Sequence, residues 1–163
     1  MKDSKTGHIL LVCIICLILD QGTKWWASDS LVAWQMTSYL GDVVRIGYTE
    51  NLGVFLSLGA ELSPAQRMVL FVGIIGLFLL VLLGYMIKSH DLSKRQLTSL
   101  ALIFAGGLGN LLDRIFNQGA VIDFINLGVG TVRTGVFNVA DTVILLGAMM
   151  IIACTPFQLE QHK

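Results

Sequence analysis

The sequence predicts an all-α membrane protein. It has four transmembrane helices, a small extracytoplasmic patch rich in strands, and a short interfacial helix or loop. Three observations carry that prediction. Of 163 residues, 55% are hydrophobic and only 13% charged, about half the charged share of an ordinary soluble domain. Four stretches approach the ~20 apolar residues that cross a hydrocarbon core ~30 Å thick. The basic residues concentrate on alternate connections between those stretches.

The first span is 8–27, HILLVCIICLILDQGTKWWA. Lys2 and Lys5 ahead of ILLVCIICLIL resemble the opening of a signal peptide. No small-x-small site follows promptly, and Cys16 follows Ile15 rather than Gly, Ala or Ser, so a retained helix is expected. Asp20 and Lys24 stand four apart with the acid N-terminal, the favourable order for a pair on a helix surface. Trp25 and Trp26, with Trp34, suit an aromatic belt at the outer interface. Cys13, Cys16 and Cys154 all lie in apolar runs, an odd count without metal spacing. They read as small apolar residues.

The connection 28–67 is too long for a turn. VVRIGYTE, with Gly41, Gly47, Gly53 and Gly59 around it, suggests short strands on the membrane surface, and ENLGVFLSLG (50–59) a loop that reaches over them. The second span, 68–87, carries no charge. Lys88, Lys94 and Arg95 crowd the short connection that follows, which is therefore cytoplasmic. The third span, 97–116, has Asn110, Asp113 and Arg114 as a polar stripe at its outer end, above Gly106, Gly107 and Gly109, which permit close helix approach. The connection 117–135 mixes apolar residues with glycine, as a short interfacial helix and turn-rich loop would. The fourth span is 136–154, with Asn138 and Asp141 three apart on one helix face.

With Lys2, Lys5, the 88–95 connection and Lys163 inside, both termini are cytoplasmic, and 28–67 and 117–135 lie outside. No repeat or low-complexity tract divides the chain, so residues 1–163 form one domain. His8, His90 and His162 fall on the cytoplasmic side, away from the carboxylates, which argues against Ser–His or Cys–His chemistry. No phosphate-binding glycine loop and no metal-ligand run is present, so neither cofactor nor metal is expected. The zero net charge points to no nucleic-acid partner.

Asp20, Asp113, Asp123 and Asp141 all gather at the outer interface. An Asp inside a span costs about 2.5–3.5 kcal/mol, so it faces a cavity or a partner. Two carboxylates that approach closely at low dielectric share a proton. Such a pair activates water with one member and donates a proton with the other. Asp123 and Asp141 come from different elements, and their spacing permits such a dyad. It equally permits a polar cluster gluing helices together, or an ion pair with Arg114. A small proton or cation transporter is a third reading. Its Asp would sit near mid-membrane rather than at one face.

The motifs DQGTK (20–24), ENLG (50–53), GGLGNLLDR (106–114), VIDF (121–124) and FNVAD (137–141) occur in that order, all at the outer face. In this the chain resembles the bacterial lipoprotein signal peptidases (signal peptidase II). The Gly-x-Gly-Asp signature of presenilin-like proteases is absent. The resemblance implies a multi-pass aspartic endopeptidase of the bacterial cytoplasmic membrane. Such an enzyme removes signal peptides from diacylglyceryl-modified prolipoproteins, cutting before the lipidated cysteine at the extracytoplasmic face. It implies Asp123 and Asp141 as the catalytic pair and Asn51, Gly53, Asn110, Arg114 and Asn138 as binding residues. Asp20 and Lys24 fall to a supporting role. It also implies contact with membrane lipid, inhibition by globomycin-type cyclic peptides, no cofactor, and action as a monomer. Two departures stand out. Val54, Phe55 and Leu56 replace the Ala-Ala-Phe or Ala-Ala-Trp of many members, and Thr134 and Gly135 stand where many have Phe-Pro.

Overall fold

The computed structural model of the chain describes residues 2–53 and 61–154. Helix α1 (Lys2–Ser30) leads into strands β1 (Thr37–Tyr39) and β2 (Val44–Asn51). A short helix α2 (Pro64–Arg67) passes through a π-helical turn, Met68–Val72, into α3 (Gly73–Lys88). Then follow α4 (Lys94–Phe116), strands β3 (Val121–Val129) and β4 (Val132–Arg133), and α5 (Val139–Cys154). Val54, Phe55 and Leu56, most of the 50–59 loop, His162 and Lys163 lie outside the described residues.

Among the described residues, three helical segments are long and apolar enough to cross a bilayer: 5–30, 65–88 and 94–116. The fourth apolar helix, α5, is shorter, Val139–Cys154. At 1.5 Å per residue its 16 residues rise about 24 Å. It starts three residues later than the apolar run, because Phe137 pairs with Ile125 of β3 and cannot be helical as well. Half of the apolar window of α4 is buried within the protein, against 22% for α1 and for the helix over 65–88. So α4 is the central helix, and α1 and the helix over 65–88 turn most of their apolar surface outward. Leu10, Ile14 and Ile18 on α1, with Leu77, Leu80 and Val81 on α3, are all more than half exposed.

Close approach explains how α4 holds the centre. A Cβ on Gly106 would lie 2.5 Å from the Ala140 carbonyl oxygen, and one on Gly109 would lie 2.4 Å from a carboxylate oxygen of Asp20. Below that level Ile9, Cys13, Cys16, Leu82, Met86, Leu97, Ala101 and Ala105 form the apolar core. Cys13 and Cys16 are buried there as free thiols, in keeping with their apolar setting in the sequence. Ser93 and Gln96 close a capping box at the start of α4.

The fold is not all-α. The two connections at one end of the bundle join in a four-stranded antiparallel sheet, ordered β1-β2-β3-β4. The strand patch expected in 28–67 is β1 and β2. The interfacial helix expected in 117–135 is replaced by β3 and β4. VIDFIN is rich in β-branched and aromatic residues, and its neighbour β2 satisfies its backbone along most of its length. A helix there would leave β2 an unpaired edge. Trp26 of α1 packs edge-on against Phe124 of β3, ring centroids 6.3 Å apart, which fixes the sheet on the helix ends.

Candidate active site

Asp123 stands on β3 with only 2% of its surface exposed. Across from it β2 carries a bulge: Ile46 pairs with Ile125 and Thr49 with Asp123, so Gly47 and Tyr48 together oppose Phe124. A bulge of this kind bends the strand and re-aims the side chains beyond it. Beyond this one, Asn51 Nδ2 donates to Asp123 Oδ2 at 3.0 Å, and Thr49 Oγ1 donates to the Asp123 carbonyl at 3.1 Å. The Asn51 oxygen accepts the Gly53 N–H at 3.0 Å, which sets which end of the amide faces Asp123.

Asp141 comes from α5 by a different device. Asn138 Oδ1 accepts the Asp141 N–H at 2.9 Å, and Asp141 Oδ2 accepts the Asn138 N–H at 3.2 Å. That reciprocal pair is a capping box with Asn at the cap and Asp three residues in. Asn138 therefore precedes the helix instead of sharing a helix face with Asp141. The N-terminal turn of a helix favours negative charge, so this carboxylate sits where an otherwise apolar helix best tolerates it.

Asn138, wholly buried, links the two carboxylates. Its Nδ2 lies 2.7 Å from Asp123 Oδ1, 3.1 Å from the Ile122 carbonyl and 3.1 Å from Asn110 Oδ1. Asn110 Nδ2 in turn donates to Asp141 Oδ1 at 2.9 Å. Each oxygen of both carboxylates thus faces an N–H donor. Burial, and next the neighbouring Asp141, push the Asp123 carboxyl up to about 7, while the amides of Asn51 and Asn138 and the charge of Lys24 oppose that rise. Burial thus favours the protonated form of Asp123.

Beneath the pair lies a buried ionic cluster. Lys24 Nζ is 2.9 Å from Asp20 Oδ2, from Asp113 Oδ2 and from Asn110 Oδ1. Gln21 Nε2 bridges Asp20 and Asp113 at 3.1 and 3.0 Å. Asp20 Oδ1 accepts the Ala140 N–H at 2.9 Å, and Asp113 Oδ2 accepts the Ile122 N–H at 3.0 Å. The Asp20–Lys24 pair suggested by spacing is present, but it faces inward and takes in a second carboxylate. Asp113 and Gln21 were not singled out from sequence as site residues. Asp113 was marked by its place on the polar stripe of α4 and among the carboxylates at the outer interface, Gln21 only by standing inside the DQGTK motif.

Arg114, also buried, donates to the Asn110 carbonyl at 3.1 Å and to the Gly53 carbonyl at 3.0 Å, and its guanidinium lies 5.9 Å from the Phe71 ring centroid. Among the described residues its hydrogen bonds go to backbone, not to Asp123 or Asp141. The structure thus brings Asn51, Gly53, Asn110, Arg114 and Asn138 around the two carboxylates. Thr134, at one departure from the usual motif, closes the β3–β4 hairpin: its hydroxyl accepts the Leu127 N–H at 3.0 Å and its carbonyl accepts from Asn126 at 2.7 Å.

The family model described as Signal peptidase (SPase) II matches residues 12–157. The lipoprotein signal peptidase of Treponema denticola is 33% identical over 150 residues, covering 89% of this chain and 87% of the relative. That of Chlorobium phaeobacteroides is 34% identical over 146 residues, with 85% and 83% covered. That of Serratia proteamaculans is 34% identical over 143 residues, with 88% and 83% covered. Two solved structures of a bacterial membrane enzyme superpose with a TM-score of 0.78. They are 28% and 27% identical to the chain, over 90% of it and over 86% and 91% of their own lengths.

Proposed function

The chain belongs to the signal peptidase II family of aspartic peptidases, and from that premise we propose that Asp123 and Asp141 are its catalytic dyad, hydrolysing the peptide bond before the lipidated cysteine of a diacylglyceryl-modified prolipoprotein. The observation that carries this reading is Asn138, one buried residue bonded to both carboxylates. Asp123, raised to about 7, is the member that holds the proton at and below neutral pH. Asp141 is assigned the base, held in place by the Asn110 amide and the Asn138 N–H.

In the forward step Asp141 takes a proton from water as the water oxygen attacks the scissile carbonyl carbon. Asp123 gives its proton to the carbonyl oxygen, and a tetrahedral gem-diol forms. Collapse returns a proton to the departing amine, breaks the C–N bond and regenerates one protonated and one ionised carboxylate. Arg114, by gripping the Gly53 carbonyl, fixes the Asn51–Gly53 segment beside Asp123. Asn51 and Asn138 keep Asp123 oriented. The acyl chains of the substrate stay in the bilayer, with lipid around the exposed faces of α1 and α3. A cyclic peptide of the globomycin type occupies the same site. The orientation follows from the basic 88–95 connection: the sheet and dyad are extracytoplasmic, both termini cytoplasmic, and α5 serves as the fourth span. One chain holds every group the chemistry uses, so it acts as a monomer.

The test is cleavage of a diacylglyceryl-modified prolipoprotein by the purified protein in lipid or detergent, with and without globomycin. Asp123→Asn and Asp141→Asn should each abolish product while membrane insertion is retained. Turnover by either variant would overturn the dyad.

A further inference from the structure

The buried cluster under the dyad has a feature that helix packing alone does not require. Lys24 is a hub with two branches, and each ends one residue before a catalytic carboxylate. One runs from Lys24 through Asp20 to the N–H of Ala140, which precedes Asp141. The other runs through Asp113 to the N–H of Ile122, which precedes Asp123. A third contact reaches the dyad through a single amide. The ammonium donates to Asn110 Oδ1 at 2.9 Å, and an ammonium has donors only, so it admits the oxygen of that amide and excludes its NH₂. The NH₂ of Asn110 is thereby turned to Asp141, and the Asn110 oxygen accepts from Asn138, whose NH₂ also faces Asp123.

Resting on the dyad reading above, we propose that Lys24 is a positioning residue of the active site. Its charge fixes the polarity of the Asn110–Asn138 amide pair, so that both amides present N–H, and neither presents C=O, to the two catalytic carboxylates. An amide reversed at Asn110 would set an oxygen against Asp141, which tolerates one only when protonated. Lys24 thus keeps an N–H donor on Asp141 through a neighbour it touches, and it acts on Asp123 through Asn138 and by its own field.

Other charges around the pair do not duplicate this role. Asp20 on α1 and Asp113 on α4 are anions spent on Lys24. Arg114 on α4 bonds backbone carbonyls. On β2, Tyr48 donates to Glu50 at 2.7 Å. The arrangement also carries a net negative charge beneath the dyad, one cation against two carboxylates, so removing Lys24 leaves two buried anions. Replacing Lys24 alone therefore mixes a folding defect with any effect on chemistry.

The decisive variant is Lys24→Met combined with Asp113→Asn, which keeps the cluster at the native net charge of one negative and leaves an amide oxygen for the Ile122 N–H. The rate of prolipoprotein cleavage is measured against pH for the native enzyme, Lys24→Met and the double variant, with insertion and thermal unfolding checked for each. The proposal expects the folded double variant to show a pH profile displaced upward by about one unit, with KM changed less than about two-fold and the loss of kcat greatest at low pH. A merely structural Lys24 predicts the reverse: restored charge balance restores the native profile, and that result would overturn the proposal. Asp123→Asn and Asp141→Asn run in parallel. Turnover in either refutes the dyad itself, whereas two inactive dyad variants beside an undisplaced double variant refute only the role of Lys24.

Discussion

Asp42 and Asp123 belong to the same four-stranded sheet and meet opposite surroundings. Asp42, in the β1–β2 turn, is one anion among two cations: Arg45 donates to both of its oxygens at 2.7 and 2.6 Å, and Arg133 reaches its carbonyl at 2.7 Å. Its side chain is 39% exposed. Arg45 holds the Asp42 carboxyl well below the usual carboxylate range. Among the described residues Asp123 has no cation in contact, and it is nearly sealed from solvent, so burial drives its carboxyl the other way, to about 7. The lesson is that hydrogen-bond count does not set acidity here. Both carboxylates are fully bonded; what differs is access to water and the sign of the neighbouring charge. The clasp at Asp42 ties two hairpin tips together, and the cluster at Asp123 keeps a proton available.

The strongest way to break this comparison is Asn138→Ala. It removes a donor to Asp123 and the cap of α5 together, and loss of alignment at reacting groups costs on the order of 100-fold in rate. The cleavage assay should show at least that fall in kcat, with a stability loss of about 1 kcal/mol from the missing cap. A variant within ten-fold of native would mean that Asn138 does not align the pair.

Asp20→Ala comes next and acts on stability. It strips a partner from Lys24 and from the Ala140 N–H in a buried setting, where breaking an ion pair costs about 3–5 kcal/mol. Thermal unfolding in detergent should show the largest Tm drop of these variants. Gly109→Ala follows, at about 1–3 kcal/mol, because its methyl would meet Asp20 at 2.4 Å. An unchanged Tm in Gly109→Ala would show that α1 and α4 can separate at no cost.

The pH dependence sharpens the contrast, since the two groups have opposite signs. The folded-state pKa of Asp123 is raised, so its contribution to stability is complete below the ordinary value of 3.8 and is lost as pH rises through about 7. That of Asp42 is lowered, so its contribution is present above 3.8 and is lost as pH falls below it. The difference in stability between native protein and Asp123→Asn should therefore decline between pH 3.8 and about 7, and unfolding midpoints across that window check it. Asp42→Asn should have the smallest effect, a minor Tm change that shrinks further in high salt, as for other half-exposed ion pairs.

Much of this was legible from residues. The apolar runs mark the helices because a bilayer core admits no unpaired backbone, and the basic 88–95 connection is the sequence's signal for their orientation. VVRIGYTE reads as strand and is strand. VIDFIN misled, since a short apolar run fits an interfacial helix as well as a strand until its partner is known. FNVAD misled in a subtler way: spacing of three suits a shared helix face, and it suits a capping box equally. The difference lies in where the helix starts, which pairing of Phe137 with β3 decides.

By itself the sequence determined which segments are apolar enough to enter a membrane, that the carboxylates gather at one end of them, and to which family the motifs point, because hydropathy, charge placement and local spacing are properties of a linear chain. Only the tertiary structure decided that Asp123 and Asp141 meet on Asn138, that Asp20 reaches the N–H of Ala140 120 positions away, and that Lys24 faces inward to two acids. Those contacts depend on how closely α1, α4 and α5 approach and on the register of β2 against β3. Each is set by packing between distant segments, which no local pattern encodes.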